Sequence, residues 1–375
     1  MQCGWGACVG VAIPLRWLIA VVCLVGIASR AMVAADDGPE PHDGWQLSLT
    51  PGGQLEVSWG AERVTGYRFT ELKKPALYPV FGPGGHSMVR NYPLLTGIAG
   101  EATDHPHHKS IWLAHGNVNG YSYWDERAVI ENELPPRVET DAAAFVVVNR
   151  WLANPATAGS ALDGQDSTAG GASGPSASAA ANGVVLREQT RVSFGRLSPD
   201  RSPLAGGWWV QYQTRLTAES GDVRFGDTKE GFFAIRTHPN LRLANDPRAG
   251  VTTANGRALN ARGQRDRDLW GQAAEWVAYG GMIDQQPVTM VMMDHPKNFR
   301  HPTTWHARDY GLVAANPFGL HDFQKLPPGA GDHVVPQGQT LEFCYRIAFL
   351  PSLLDEAAIA AAYSEFAASP SGWGE

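Results

Sequence analysis

The segment Trp45-Gln-Leu-Ser-Leu-Thr-Pro-Gly-Gly-Gln-Leu-Glu-Val-Ser-Trp59 contains two short alternating runs separated by a turn. Apolar and polar residues alternate in Trp45–Leu49 and again in Leu55–Trp59, and Pro51-Gly52-Gly53 stands between them. Alternation with a period of two on both sides of a Gly-rich turn is typical of a β-hairpin. The segment therefore predicts an antiparallel pair of strands that is buried on one face.

Runs of the same β character continue along the chain, separated by turns rich in Gly and Pro. They are Ala76–Phe81, Ala142–Trp151, Val184–Phe194, Trp208–Leu216, Val223–Phe225, Asp227–Arg236, Ala274–Tyr279, Val288–Met293 and Leu341–Phe349. Helical spacing of apolar residues stands out only in Ser352–Ala368. We therefore predict an all-β fold, a large antiparallel β-sandwich with one short C-terminal helix. The sequence has no Gly-rich phosphate loop, so no nucleotide cofactor is predicted.

Residues 1–35 have the pattern of a secretory signal peptide. Arg16 precedes the apolar run Trp17–Ile27, which is too short to span a bilayer, and Val33-Ala34-Ala35 offers small residues for cleavage. We therefore predict an exported protein of the periplasm or the extracellular space, with no membrane span in the mature chain. An uncleaved anchor is the alternative.

The remaining chain divides by composition into a sandwich domain and a tail. Residues 36–350 carry the β pattern, and residues 351–375 form the predicted C-terminal helix and tail. Within the sandwich, residues 154–183 are nearly all Ala, Gly, Ser, Thr, Pro and Asp. Such a composition buries too little apolar surface to order itself, and it predicts a disordered loop inserted in a hairpin.

Cysteine content and charge restrict the partners. Three of the four cysteines lie in the predicted signal, so the mature chain keeps Cys344 alone and no internal disulfide is expected. Cys344 lies in a strand-like run and is predicted to be a small buried residue. Without residues 1–35 the chain has 28 basic and 37 acidic residues, a net charge of −9. This balance argues against nucleic acid and favours an exported protein that acts on a neutral or cationic target. The predicted partner is a small-molecule or glycan substrate.

Histidines concentrate in two short segments, Glu101–His115 and Asp294–Asp309, and each segment contains the tripeptide Asp-His-Pro. Together they hold seven of the twelve histidines in the chain. A protein core does not hold so many polar side chains without partners. We therefore predict that the two segments meet in one pocket.

The pocket is predicted to carry acid–base chemistry, with a histidine as the acid or base and a carboxylate that orients it. The predicted catalytic residues are Glu101, Asp104, His107, His108, His115 and His306. The predicted substrate-binding residues, chosen as ring platforms and polar groups for hydroxyls, are Arg90, Trp112, Trp124, Glu230, His301, Trp305, Arg308 and Asp309. Asp227 is an alternative to Glu230 as a catalytic carboxylate.

A divalent metal is an open alternative in this pocket. In an extended chain His105 and His107 would share one face and His108 would point away, so the two could grip a metal. His105, His107 and His306 are the candidate ligands. Their spacing is not that of a zinc helix or of paired Cys-x-x-Cys motifs, and the sequence does not identify a metal.

Two long motifs resemble the DUF6807 family, which is common in planctomycetes and related bacteria. They are Asp104-His-Pro-His-His-Lys-Ser-Ile-Trp-Leu-Ala-His-Gly-Asn-Val-Asn-Gly-Tyr-Ser-Tyr-Trp124 and the segment from Asp294 to Gly319, and the resemblance extends from about residue 60 to about residue 350. Lys109 stands where the family often has Arg, which keeps the charge and loses the planar fork. The resemblance implies a β-sandwich similar to galactose mutarotases, in which His, Arg and a carboxylate handle a sugar ring.

The sequence leaves three functions to be compared. The first is a carbohydrate-processing enzyme, a hydrolase, lyase or epimerase, with acid–base chemistry in the predicted pocket. The second is a carbohydrate-binding protein without catalysis. The third, a metal-dependent oxygenase, follows from the name "methane oxygenase PmoA" that members of this family often carry. It is the least favoured, because the membrane methane monooxygenase has several spanning helices and this sequence has none after its signal.

Overall fold

The computed structural model describes residues 43–153, 183–197 and 203–372. The predicted signal peptide and nearly all of the predicted loop 154–183 lie outside these ranges. Within them the chain forms eighteen strands and three helices. The strands are β1 Trp45–Leu49, β2 Leu55–Trp59, β3 Glu62–Arg68, β4 Ala76–Val80, β5 Ile111–His115, β6 Val129–Val138, β7 Ala144–Leu152, β8 Val184–Arg196, β9 Trp208–Thr217, β10 Val223–Phe225, β11 Gly231–Arg236, β12 Arg257–Asn260, β13 Trp276–Ile283, β14 Gln286–Asp294, β15 Thr304–Ala307, β16 Leu312–Asn316, β17 His333–Val335 and β18 Thr340–Leu350. The helices are α1 Pro203–Gly206, α2 Leu320–Gln324 and α3 Glu356–Ala368.

The strands form two large antiparallel sheets. The order in the first sheet is β1-β2-β3-β4-β5-β11-β16-β15, and in the second it is β12-β13-β14-β18-β9-β8-β7-β6. A separate two-stranded ribbon pairs β10 with β17. The predicted antiparallel β-sandwich with a short C-terminal helix is confirmed.

The opening hairpin forms as its alternation predicts. β1 and β2 pair antiparallel with Leu47 opposite Val57, and both side chains are buried. Gly53 in the connecting turn has a φ of 71°, a conformation that glycine adopts without steric cost. The hydrophobic face of this hairpin joins the main core between the sheets.

Aromatic side chains fill the space between the two sheets. Phe233 of the first sheet packs against Tyr212 and Tyr345 of the second, with ring centroids 4.8 and 5.2 Å apart. Tyr67 and Phe145 make a similar contact at 5.1 Å. Large aromatic rings supply much of the apolar area that a sandwich buries. Phe233 therefore identifies the inner face of the first sheet.

The C-terminal helix covers part of the outer face of the second sheet. Asp355 caps its first turn by accepting hydrogen bonds from the backbone N–H groups of Ala357 and Ala358. This cap explains why the helix begins at Glu356, four residues after the start of the predicted segment. Ile359 and Phe366 pack in a cluster that includes Cys344, which is buried as predicted.

Strand β6 was not predicted, because Pro135 and Pro136 interrupt its pattern. Proline cannot donate to a ladder, and β6 accommodates both because it is the edge strand of the second sheet. Of the helices in the described ranges, none has the length and hydropathy needed to cross a bilayer.

Candidate active site

The site lies on four neighbouring strands of the first sheet. The strand register places Trp112 of β5 opposite Ala234 of β11, Ala234 opposite Ala314 of β16, and Ala314 opposite His306 of β15. Residues at paired positions point to the same face. Three strand spacings put about 14 Å between the two large side chains at the ends of this row. The two alanines between them form a floor that has no exposed surface, so neighbouring side chains cover it.

The next row along the same strands points into the core. It contains Leu113, Phe233, Ala315 and Trp305, and Phe233 faces the second sheet. Trp305 has no exposed surface, and its indole N–H donates to the carbonyl of Ala274 at 2.9 Å. The prediction of Trp305 as a sugar platform is therefore wrong. The row with His306 belongs to the outer face.

His115 also faces the core, because it shares a face with Leu113 in β5. Its ring packs between Phe225 and Phe318 at 5.7 and 5.0 Å, and its Nε2 atom contacts the carbonyl of Gly226 at 2.8 Å. Burial lowers the pKa of His115 to about 4. The prediction of His115 as a catalytic residue in the shared pocket is corrected, since the side chain lies in the core.

The first histidine segment forms a turn above the floor. The backbone N–H of His108 donates to the carbonyl of His105 at 3.0 Å, and His105 has a φ of 44°. The turn brings three imidazoles together. His105 stacks on His108 at 4.8 Å with 7° between the planes, and His107 stands edge-on to His108 at 4.5 Å. The expectation that His108 points away from the other two assumed a strand and is wrong.

Two further aromatic rings stack on the histidines of this turn, one on each side. His108 stacks on Trp112 at 5.4 Å, and His105 stacks on Tyr310 at 5.2 Å. Tyr310 follows strand β15 in the chain, so the contact joins the two histidine segments. The first histidine segment therefore contacts the residue that follows Asp309, so the predicted meeting of the two segments is found only at the end of the second one.

Asp104 is the electrostatic centre of the turn. Its carboxylate accepts hydrogen bonds from Arg90 at 2.5 Å, from Arg236 at 2.9 Å and from His105 Nδ1 at 2.9 Å. Burial alone would raise the pKa of Asp104, but the bond from His105 and the charges of Arg236 and Arg90 hold it well below its usual value. The carboxylate fixes His105 with its Nε2 atom directed away from Asp104.

Two arginines hold the turn from below. Arg90 is 2% exposed and also donates to the carbonyls of Ala102 and His105. Its predicted substrate-binding role is corrected, since these bonds occupy the guanidinium inside the protein. Arg236 is 1% exposed and donates to His108 Nδ1 at 3.1 Å. A guanidinium only donates, so His108 accepts at Nδ1 and carries its proton on Nε2.

His108, Trp112 and Trp124 form the back wall of the site. Each is 1% exposed, and the two indoles lie 5.2 Å apart beneath His108. Burial is the main cause that lowers the pKa of His108 well below its usual value, with the charge of Arg236 as the next. These three residues were predicted to contact or transform the substrate. Their burial corrects that prediction, and they support the exposed ring of His105 instead.

Three more charged side chains fasten the turn. Lys74 has no exposed surface, and its ammonium donates to the carbonyls of His107 and Trp124 and to Glu126. Lys109 donates to the same carboxylate of Glu126 at 2.5 Å. Lys109, which stands where the family often has Arg, therefore forms a structural ion pair with Glu126.

Glu101 holds the preceding loop. Its carboxylate accepts hydrogen bonds from the backbone N–H groups of Asn91 and Tyr92 and from the Asn91 side chain. A carboxylate that satisfies three donors of a loop has little capacity left for a substrate. The prediction of Glu101 as a catalytic residue is corrected on this ground.

His306 lies at the end of this row opposite Trp112. Its Nδ1 atom lies 2.9 Å from the carbonyl of Lys229, so Nδ1 carries the proton and Nε2 is left with its lone pair. Burial lowers the pKa of His306 to about 3, the charge of Arg308 adds to the effect, and the Lys229 carbonyl opposes it. His306 is therefore a neutral hydrogen-bond acceptor at neutral pH.

Glu230 is the carboxyl group that the fold leaves without a partner at this site. Within the described ranges its carboxylate makes no hydrogen bond or ion pair, and the side chain is half-buried. Burial raises its pKa, while the charges of Lys229, His105 and Arg308 act in the opposite direction. A Cβ atom at Gly116 would lie 2.8 Å from the Cβ of Glu230, so this glycine makes room for the side chain.

Asp227, the alternative carboxylate, has a structural role. It accepts hydrogen bonds from the backbone N–H groups of His321 and Gly331. Asp227 therefore anchors the loop that carries Glu230.

The segment after β15 supplies a cation and a phenol. Arg308 and Arg236 both approach the ring of Tyr310, at 5.3 and 4.5 Å from its centroid. Burial raises the pKa of Tyr310 to about 12, so its hydroxyl stays protonated at neutral pH. Asp309 pairs instead with Arg267 at 3.0 Å, on the rim of the site. Its predicted contact with substrate would be at that rim.

Arg236 and Tyr310 were not singled out from the sequence. The available signals were weak. Arg236 is a charged residue at the end of an otherwise apolar strand, and Tyr310 is part of the Asp-Tyr-Gly sequence in the second motif.

The first half of the second histidine segment lies elsewhere. Asp294 ends β14 in the second sheet and has no exposed surface. It accepts hydrogen bonds from His301 Nδ1 at 2.7 Å, from Asn298 at 2.7 Å and from the Thr303 N–H at 2.9 Å. His301 is therefore held in this separate network, and its predicted place in the substrate pocket is corrected.

The predicted metal ligands do not form a ligand set. No group of three or more His, Cys, Asp or Glu side chains in the part of the chain that the structure describes is arranged to hold a metal ion. His105 bonds to Asp104 and stacks on His108, and His306 bonds to a backbone carbonyl. We derive no step through a metal.

Comparisons with known proteins identify a family and no activity. The model of a family described as "Family of unknown function (DUF6807)" matches residues 54–364, and the chain belongs to that family. None of the curated proteins compared with the chain matches it. Among solved structures, a galactose mutarotase-like protein from Clostridium acetobutylicum is similar at 8% identity, over 82% of this chain and 93% of that chain, with a TM-score of 0.23. At that score the likeness carries no argument about fold or function.

Proposed function

For this member of the DUF6807 family we propose a carbohydrate-processing enzyme that uses Glu230 and His105 for acid–base chemistry on a sugar. The observation that carries the proposal is the Glu230 carboxyl group, which is half-buried, makes no hydrogen bond or ion pair within the described residues, and lies within electrostatic range of His105, an imidazole that Asp104 orients. A buried carboxyl with a raised pKa retains a proton to higher pH and can donate it.

His105 is the proposed base. Asp104 holds its Nδ1 atom, so Nε2 presents the lone pair, and the carboxylate stabilises the imidazolium that forms when a proton is taken up. The two arginines on Asp104 keep that carboxylate ionised. In this scheme His306 accepts a hydrogen bond from a sugar hydroxyl through Nε2, and Tyr310 donates one.

The surroundings support sugar as the substrate. The site presents two stacked rings with polar atoms at their edges, the exposed His105 and the half-buried Tyr310. A sugar presents an apolar ring face and a rim of hydroxyls, and stacked aromatic rings with converging polar groups complement both. The buried tryptophans do not contribute a platform.

The test is a product screen by NMR on neutral and acidic mono- and oligosaccharides, with detection of hydrolysis, elimination and epimerisation. For a substrate that is turned over, Glu230→Gln and His105→Ala should each lower kcat/KM by about 10²–10⁴-fold, the range of general acid–base catalysis. Glu275→Gln is the matched control, because Glu275 pairs with Arg262 away from the site.

Two outcomes would contradict the proposal. Turnover that survives in both site variants would show that the chemistry lies elsewhere. Tight binding of a sugar that is recovered unchanged would favour the non-catalytic carbohydrate-binding protein.

A further inference from the structure

The guanidinium of Arg308 is an unpaired cation of the site. Its side chain is half-buried, and within residues 43–153, 183–197 and 203–372 it makes no hydrogen bond or ion pair. The other arginines here are committed. Arg90 and Arg236 bind Asp104, and Arg267 binds Asp309. A half-buried guanidinium without a counter-ion is costly unless a ligand supplies one.

Arg308 lies at the end of the β15–β16 hairpin, half-buried. Its backbone N–H donates to the carbonyl of Leu312 at 2.8 Å, which continues the ladder and places its side chain on the same face as His306, two residues earlier. Its guanidinium stands over the ring of Tyr310, with 5.3 Å between its Cζ atom and the ring centroid. Its charge also acts on the carboxyl group of Glu230 and on the ring of His306, so both groups lie within its electrostatic range.

The charged groups that act on Glu230 include both signs. Lys229 and Arg308 are cations and Asp322 is an anion, while Arg90 and Arg236 are paired with Asp104. Within the described residues Lys229 and Arg308 have no carboxylate partner, and cations of this kind attract anionic ligands in preference to neutral ones.

We infer that the sugar is an acid, such as a uronic acid residue, and that Arg308 binds its carboxylate in a bidentate pair. This inference rests on the proposed function for the presence of a sugar. It adds the carboxylate, whose planar geometry matches the two parallel N–H donors of a guanidinium.

The carboxylate also fits the proposed acid–base groups. In a uronic acid the proton on the carbon beside the carboxylate is removed more readily when a cation stabilises the negative charge that develops on the carboxylate oxygens. Arg308 would supply that cation, and His105 would accept the proton. The electron pair of the broken C–H bond moves toward the carboxylate carbon. The anion then either expels the glycosidic oxygen on the next carbon, which takes the proton of Glu230, or takes that proton itself at the carbon, so elimination and epimerisation both balance without an oxidant or reductant.

The experiment is isothermal titration calorimetry with glucuronate, galacturonate, mannuronate and guluronate oligosaccharides and with the matched neutral hexose oligosaccharides. We expect an acidic member to bind and its neutral counterpart to bind at least 10-fold more weakly. Arg308→Met should lower the affinity for the acidic sugar by about 10–150-fold, the range for hydrogen bonds to charged groups. Arg308→Lys should retain part of it, because it keeps the charge and loses the fork.

Arg262→Met is the control, since Arg262 is 51% exposed and pairs with Glu275 away from the site, and the affinity of this variant should equal that of the wild type. Thermal unfolding of each variant confirms that it folds. Equal binding of acidic and neutral sugars, or wild-type affinity in Arg308→Met, would overturn the inference. Binding of an acidic sugar that depends on Arg308 but gives no turnover would overturn the proposed enzymatic function and support the acidic ligand. Turnover of a neutral sugar that depends on Glu230 would support the enzymatic function and overturn the acidic ligand.

Discussion

Asp104 and Asp294 each begin an Asp-His-Pro segment, but their surroundings differ. Asp104 is 36% exposed at its side chain and binds two buried guanidinium groups and His105. Asp294 has no exposed surface, and its partners are an amide, a backbone N–H and His301. The same tripeptide therefore has a candidate reactive role at Asp104, where its partners are charged arginines, and a structural role at Asp294.

The histidines that follow the two aspartates show the same contrast. His105 is exposed and stacks on Tyr310 with its Nε2 atom free for a ligand. His295 is buried, packs edge-on against Phe366 and contacts the carbonyl of Ser369 through Nε2. A repeated motif thus does not identify a site until the groups around it are known.

The largest expected effect is on stability when each aspartate is removed. Asp104→Ala leaves two buried arginines without their counter-ion, and we expect a loss of about 3–5 kcal/mol in the free energy of unfolding. Asp294→Ala leaves neutral donors unsatisfied and should cost about 1–3 kcal/mol. Chemical denaturation measures both. Asp284→Ala serves as the control, because that side chain is 79% exposed, and a larger loss for Asp294→Ala than for Asp104→Ala would refute the comparison.

A smaller effect, of opposite sign at the two sites, is expected in the pH dependence of stability. The folded state lowers the pKa of Asp104, so its contribution is present above the unfolded value of 3.8 and is lost as pH falls through the lower folded value. Burial raises the pKa of Asp294, so its carboxyl favours the folded state at low pH, and this contribution is lost as pH rises from 3.8 through the folded value.

The measurement is the free energy of unfolding from pH 2.5 to pH 7 in the wild type, Asp104→Asn and Asp294→Asn. As the pH falls below 3.8, the free energy of unfolding should decrease less in Asp104→Asn than in the wild type. As the pH rises above 3.8, it should decrease less in Asp294→Asn than in the wild type. Parallel curves for the two variants would show that the two carboxyl groups do not differ as described.

The smallest effect concerns the neutral histidine of the site. His306 should remain uncharged down to about pH 3, because burial and the charge of Arg308 lower its pKa. Arg308→Met removes the positive charge near His306 and should raise the pKa of His306 modestly. Side-chain ¹⁵N NMR can follow this titration. A wild-type His306 that titrates near pH 6 would mean that the ring is solvated and that Nε2 is not a fixed acceptor.

Much of the fold could be predicted because it follows from local alternation. The hairpin of β1 and β2 and the pairing of β7 with β8 need no information beyond the period of two and the turns. Strand β6 was missed because its two prolines break the pattern, and only its edge position makes them acceptable.

The site could be predicted only in part, because its geometry depends on register between distant segments. Two contacts define the site, one between His105 and Tyr310 and one between Arg236 and Asp104. Both require β11, β16 and the turn at 104–108 to be neighbours in space. His115 shows the opposite error. Alternation already placed it on the face opposite Trp112, but its closeness in sequence to the other histidines assigned it to the pocket.

A crystal structure of the Glu230→Gln variant with an acidic oligosaccharide identified by calorimetry tests the central claim most directly. The account predicts sugar density against the exposed ring of His105, with a carboxylate on Arg308 and a ring carbon near His105 Nε2. Density that lies instead against His301 and Asp294, or on another face of the sandwich, would contradict it.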